Sequence, residues 1–265
     1  MKISFIGCGN MAGAIIRGIA AKGAVKPENI YAFDTNESKT AELKSETGIS
    51  IAESAKDAAE KGDITVLAVK PNVLSSVLKE IDGTVCGSGK TLVSIAAGKT
   101  ISFIEENLSG KCAVIRVMPN INAKVGAACS ALCANESVSE EVKEFVIKIF
   151  SAVGEITELP ESSFPLFGVI AGCVPAYSYM FIDAIARAGV KNGMSKDLAL
   201  KFAAQTVMGS AKMVLESGEH PYKLTDMVCS PGGTTIEGVL SLQADRFEAA
   251  VHNAVNKAVE KDKLL

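Results

Sequence analysis

Short runs of β-branched and aliphatic residues alternate with longer stretches of helical period as far as residue 158, the pattern of a parallel sheet with crossover helices. Strands are predicted at Lys2–Ile6, Ile30–Phe33, Ile64–Val69, Thr91–Ser94 and Ala113–Val117, with a further short one near Ala127–Cys133. Between the first two, apolar residues at positions 11, 12, 15, 16 and 19 predict a helix over Met11–Lys22. A second helix is expected over Ser139–Phe150, opened by a serine and several acidic residues. Past Pro160 the strand signals stop. The chain stays helical in pattern to its end, punctuated by Gly189, Gly193, Gly218 and Pro231–Gly233. This predicts an α/β domain over residues 1–158 and an all-α domain over residues 159–265, with no repeat or low-complexity linker between them.

Composition narrows the partners. A net charge of −3 and a pI near 5.6 give no basic field for a polyanion, so a small molecule is expected and a nucleic acid is not. Seven scattered cysteines without a Cys-x-x-Cys pair, and only two histidines far apart, argue for a reducing compartment and against a metal centre. No signal peptide is read, because the apolar start Ile3–Ile6 runs at once into a glycine turn, and the expectation is a cytoplasmic protein. The stretch Ser162–Ile182 carries no charge and meets the length criterion for a membrane span. Its acidic flanks, its two prolines and its Ser, Tyr and Gly content favour instead a helix buried between subunits.

The segment Gly7-Cys8-Gly9-Asn10-Met11-Ala12 fits the dinucleotide fingerprint G-x-G-x-x-G/A and lies between the first strand and the first helix, as a Rossmann domain requires. Gly7 permits the tight turn, Gly9 lets the backbone approach a pyrophosphate, and Ala12 allows close helix–sheet packing. Asp34, ending the second strand, is placed to accept from the adenosine ribose and to repel a 2′-phosphate, which leans toward NADH; it also fits a turn or helix cap. Three further segments follow strand ends on the same sheet edge: Ala68-Val69-Lys70-Pro71, Ser94-Ile95-Ala96-Ala97-Gly98 and Met118-Pro119-Asn120. Lys70 can face phosphate or ribose, or simply solvent, and the small residues of the second segment leave room for a nicotinamide ring.

In the helical half, Ser230-Pro231-Gly232-Gly233-Thr234-Thr235 precedes a helix, with Thr234 and Glu237 spaced as a capping box. Free N–H groups of Gly233, Thr234 and Thr235 would hold a carboxylate, while a threonine hydroxyl reaches a ring nitrogen. A plain turn between helices is the competing reading.

Taken with Gly7–Met11, Ala68–Pro71, Ser94–Gly98, Arg116–Asn120 and Ala203–Lys212, the segment Cys229–Ile236 resembles the pyrroline-5-carboxylate reductases over nearly the whole chain. That resemblance implies a doubly wound, mostly parallel Rossmann domain followed by an all-α dimerisation domain, and reduction of 1-pyrroline-5-carboxylate to L-proline by NADPH or NADH. It places the substrate between the nicotinamide and the Ser230–Thr235 turn of the partner subunit in a homodimer or an assembly of dimers. Ser230, Gly233 and Thr234 would contact the carboxylate, and Thr235 the ring nitrogen as the catalytic contact. The chain departs from the family pattern at Ala171 and Val174, where a hydroxyl is lost and bulk is gained.

Two other readings are weighed against this one. A β-hydroxyacid or 6-phosphogluconate-type dehydrogenase would need a lysine and an asparagine spaced along one helix, whereas Lys191 and Asn192 are adjacent. A non-catalytic nucleotide-sensing protein would have no use for the Ser230–Thr235 turn.

Overall fold

The computed structural model describes residues 1–263. Its first part builds one sheet from β1 (Ile3–Ile6), β2 (Ile30–Phe33), β3 (Ser50–Ile51), β4 (Ile64–Leu67), β5 (Thr91–Ser94), β6 (Ala113–Met118), β7 (Ala128–Ala134) and β8 (Gly154–Glu158). The spatial order is β3-β2-β1-β4-β5-β6-β7-β8, with the first six strands parallel, β7 antiparallel to β6, and β8 parallel to β7. The helices α1 (Asn10–Lys22), α2 (Glu37–Thr47), α3 (Ala55–Lys61), α4 (Leu74–Val85), α5 (Ile101–Glu106) and α6 (Glu140–Ser151) connect them. The order reverses between β1 and β4, the switch point at which doubly wound sheets take their ligands.

Alternation along the strands divides the core into two layers. Ile3 and Phe5 of β1, Ile64 and Val66 of β4, and Ile115 and Val117 of β6 pack with Ile15, Ile16 and Ile19 of α1. Their neighbours Ile6, Leu67 and Val114 pack on the other side with Leu74, Leu78 and Ile81 of α4. These central strands are buried on both faces, so they read as mostly apolar runs, and the polar residues they carry, Ser4, Thr65 and Arg116, are themselves buried. Ser139 caps α6, its hydroxyl accepting from the Val142 amide at 3.4 Å.

The strands end at Glu158, but the compact first unit continues through Gly172, and the second begins at Cys173 inside α7 (Phe164–Lys191). The extension has a physical cause. Phe164 is fully buried, Arg116 lies over its ring at 4.5 Å, and the Arg116 guanidinium bonds Glu161 at 2.8 Å. The same Glu161 oxygen accepts from the Ile101 amide, so the start of α7 is fixed to β6 and α5. The second unit continues with α8 (Lys196–Ser217), α9 (Pro221–Val228), α10 (Thr234–Ala244) and α11 (Phe247–Asp262). Its own packing includes the Phe181 and Phe247 rings at 6.0 Å. By length and composition the helical stretch Glu161–Lys191 is apolar enough to cross a membrane, with 17% of that window buried.

Candidate functional site

Every predicted nucleotide-side segment follows the C-terminal end of a parallel strand. Gly7–Gly9 follow β1, Asp34 follows β2, Ala68–Pro71 follow β4, Ile95–Gly98 follow β5, and Pro119–Asn120 follow β6. Ser94 itself is the last residue of β5, fully buried, and its hydroxyl accepts from the Ala96 amide at 3.3 Å. Val69 and Pro71 are half-buried, whereas Lys70, Ala97 and Gly98 are exposed.

The glycine turn has the shape a pyrophosphate needs. Gly7 sits at φ +96° with its N–H bonded to the Phe33 carbonyl at 2.8 Å, and a Cβ there would meet the Ala68 carbonyl oxygen at 2.7 Å. Only glycine fits. Gly9 is different: its φ of −71° suits any residue, and a Cβ added to it would have no atom within 4 Å. The missing side chain at Gly9 therefore serves the space in front of the turn, not the fold. No side chain caps α1, so the first-turn N–H groups of Asn10, Met11 and Ala12 point outward unpaired within the helix. Glycine-lined backbone, an uncapped helix start and a switch point together fit a dinucleotide. Cys8 is buried with its thiol pushed up to about 12 by desolvation and then by the Asp34 charge, so it is an inert packing residue whose contribution is its backbone.

Asp34 is engaged more deeply than its sequence position suggests. Its Oδ2 accepts from the Cys8 amide at 2.7 Å and its Oδ1 from the Asn36 amide at 2.8 Å, so the carboxylate braces the glycine turn and the loop before α2. Lys39, which the sequence reading did not single out, reaches the same carboxylate at 3.4 Å. Burial alone would raise the Asp34 carboxyl, but the two N–H groups and the Lys39 ammonium hold it below the usual carboxylate range.

Asn120 is also committed to structure. Its amide donates to the Ala171 carbonyl at 2.9 Å and its Oδ1 accepts from the Cys129 amide at 3.2 Å, leaving it 6% exposed. The reason lies inside α7: Pro175 has no N–H, so the Ala171 carbonyl loses its partner four residues on, and Asn120 supplies the missing donor. We predict that Asn120→Leu leaves the buried Ala171 carbonyl and the part-buried Cys129 amide without their partner and costs about 2–4 kcal/mol, lowering Tm by roughly 5–15 °C. Calorimetry on the purified variant checks this; an unchanged Tm would show that neither bond matters.

The Ser230–Thr235 turn lies in the second unit between α9 and α10. Gly232 is left-handed at φ +67°, and the Gly233 amide donates to the Ser230 carbonyl at 3.0 Å. A Cβ on Gly233 would come within 2.3 Å of Ser230 Oγ, so glycine lets the Ser230 hydroxyl fold over the turn. Two expectations are corrected here. The Gly233 N–H is already spent on Ser230. Thr234 is the first residue of α10 instead of its cap: the N-cap is Gly233, with no side-chain cap bond, so the Thr234–Glu237 capping box does not form. What remains at the helix start are the N–H groups of Thr234, Thr235 and Ile236, with Thr234 exposed and Thr235 half-buried. The adjacent pair expected to exclude the spaced-dehydrogenase reading is structural in part, since Asn192 bonds back to the Ala188 carbonyl at the end of α7. No cluster of metal-ligating side chains occurs among the described residues.

Residues 161–265 match the family model described as pyrroline-5-carboxylate reductase dimerisation, and residues 2–98 match that of coenzyme F420-dependent NADP oxidoreductases. The pyrroline-5-carboxylate reductase of Escherichia coli K12 is 46% identical over 265 residues, covering 100% of this chain and 98% of the relative. Two solved pyrroline-5-carboxylate reductase structures align over almost their whole length. That of Plasmodium falciparum, with NADP bound, has a TM-score of 0.87 at 36% identity and covers 100% of this chain and 97% of the other. That of Coxiella burnetii has a TM-score of 0.93 at 31% identity and covers 99% and 97%. With a glycine cradle at the switch point, a helical second unit and relatives this close over the full length, the chain belongs to the pyrroline-5-carboxylate reductase family.

Proposed function

We propose that this chain reduces 1-pyrroline-5-carboxylate to L-proline with NADPH or NADH, the last step of proline biosynthesis. The observation that carries the reading is full-length family membership, joined to a glycine turn whose second glycine leaves open space where a pyrophosphate belongs. The NADP bound by the Plasmodium falciparum relative accords with it.

When bound at the strand ends, the dinucleotide supplies a hydride. The residues of the chain hold and orient. Gly7, Gly9 and the amides of Asn10 and Met11 take the pyrophosphate, and Ala68–Pro71, Ser94–Gly98 and Pro119 frame the nucleoside and the nicotinamide. The Ser230–Thr235 turn, contributed by the partner subunit, takes the substrate carboxylate on the Thr234 and Thr235 amides and the Ser230 hydroxyl. The Thr235 hydroxyl accepts from the protonated ring nitrogen. A cyclic imine protonated at nitrogen is already electrophilic, and the amine product keeps its proton, so no histidine or lysine acid is required. Orientation does most of the work; well-placed reactants recover ~7–11 kcal/mol of a bimolecular barrier.

The same reading makes the enzyme a cytoplasmic homodimer or assembly of dimers. All seven cysteines are free thiols. In the single chain Met180 is 72% exposed, Tyr179 59% and Met208 58%, apolar side chains of the helical unit that association would cover. Light scattering should give at least twice the chain mass at assay concentration; an active monomer would contradict it. The function itself is tested by following consumption of NADH and NADPH with 1-pyrroline-5-carboxylate. Substrate-dependent oxidation of either supports the reading, and none with both overturns it.

A further inference from the structure

The Asp34–Lys39 pair sits where the second strand delivers the chain to the adenosine end of a dinucleotide, and its geometry is uneven. Asp34 is held at both oxygens: each accepts from a backbone N–H, at 2.7 and 2.8 Å, and its side chain is 10% exposed. Lys39 is loosely held: it meets the two oxygens at 3.5 and 3.4 Å, the outer limit of a hydrogen bond, with its side chain 43% exposed. No other cation lies between Asp34 and Glu42. Arg17, the nearest arginine on α1, is committed to Glu42 at 2.8 Å and Glu46 at 2.6 Å.

Each ligand would therefore meet a different half of this pair. A ribose with a free 2′-hydroxyl donates to a carboxylate, but the lone pairs left on Asp34 after Cys8 and Asn36 are those that Lys39 covers. Such a ribose must displace the ammonium. A 2′-phosphate accepts only, and beside a fixed carboxylate it would be repelled unless a cation stands between them. Lys39 is that cation, and swinging from a long contact costs it little.

We propose that Lys39 is a specificity-determining residue of the nucleotide site: it allows NADPH to bind beside Asp34, and it holds back NADH by occupying the carboxylate that the ribose needs. This rests on the reductase reading only in taking the site to bind a nicotinamide dinucleotide. A single side chain thus balances two cofactors that Asp34 alone would separate in favour of NADH.

The test is equilibrium binding of NAD⁺ and NADP⁺ to the full-length protein by titration calorimetry, with wild type, Lys39→Gln and Lys39→Arg compared. Lys39→Gln is expected to weaken NADP⁺ by roughly tenfold or more, as for loss of one charge-assisted contact. NAD⁺ should bind tighter, since the carboxylate is freed, and Lys39→Arg should restore NADP⁺; NAD⁺ bound no tighter would overturn the claim that Lys39 holds NADH back. The NADP⁺ advantage of wild type over Lys39→Gln should shrink as salt rises. An unchanged ratio of the two affinities in Lys39→Gln, or an equal loss of both, overturns the proposal. Both outcomes are read without substrate. A failure here leaves the reductase reading standing, and loss of the reductase reading leaves this ratio still measurable.

Discussion

Gly9→Val is expected to fold as the wild type does and to lose dinucleotide binding. The φ of −71° and ψ of −175° at Gly9 are open to any L-residue, and an added Cβ meets no atom within 4 Å. The cost of a poorer helix cap and the gain from a stiffer unfolded chain nearly offset, so Tm should move by less than about 4 °C. The valine branches fill the space where a pyrophosphate would lie against the uncapped start of α1. Losing two charge-assisted contacts at ~1.5–3 kcal/mol each weakens NADPH and NADH alike by about 100-fold or more. A thermal scan with a fluorescence titration reads both quantities. If Gly9→Val binds either cofactor with wild-type affinity, the nucleotide does not lie across this turn.

Thr235→Ala should leave the fold and the cofactor affinity intact while lowering kcat/KM by roughly 10- to 100-fold, the loss of one hydrogen bond of ~1.5–3 kcal/mol to a charged group. The helix start survives because its amides, not its side chains, define it; α10 has no side-chain cap to lose. For the same reason Thr234→Ala should barely change Tm, contrary to what a capping box would require. Thr235→Ser, which keeps the hydroxyl, should recover most of the activity. Steady-state kinetics on the three variants decides it, and full activity in Thr235→Ala would demote the turn to a connection between helices.

The strands of the nucleotide domain were legible because most of their residues are buried, those of Ile3–Ile6, Ile64–Leu67 and Thr91–Ser94 on both faces. Ile30–Phe33 and Thr91–Ser94 lie where the apolar runs place them, and the rest differ by one or two residues at one end or, for Ala128–Ala134, by one at each end. Two strands gave no such signal. Ser50–Ile51 is only two residues long, and Gly154–Glu158 carries half-buried and exposed residues at the sheet edge, where polar side chains are tolerated. The turn chemistry was legible in kind but not in detail. Thr-x-x-Glu has the spacing of a capping box, yet the left-handed Gly232 starts the helix one residue earlier in the pattern, making Gly233 the cap. Asn120 was read as a cofactor contact because it follows a strand, and the structure adds a second, bracing role. The clue to its structural role lay 55 positions further on, in a proline inside a helix and the carbonyl it orphans. Lys39 was invisible for a simpler reason: a lysine in the first turns of a helix is ordinary until its carboxylate partner is seen in place.

The central claim is that a hydride passes from the nicotinamide to the imine carbon of 1-pyrroline-5-carboxylate held by this chain. Nicotinamide cofactor deuterated at the transferring position, incubated with the enzyme and substrate, tests it directly by mass spectrometry and NMR of the product. The expected result is L-proline carrying one deuterium at the δ carbon, the former imine carbon, and none at the α carbon. Deuterium at the α carbon, or proline formed without label, would contradict the account.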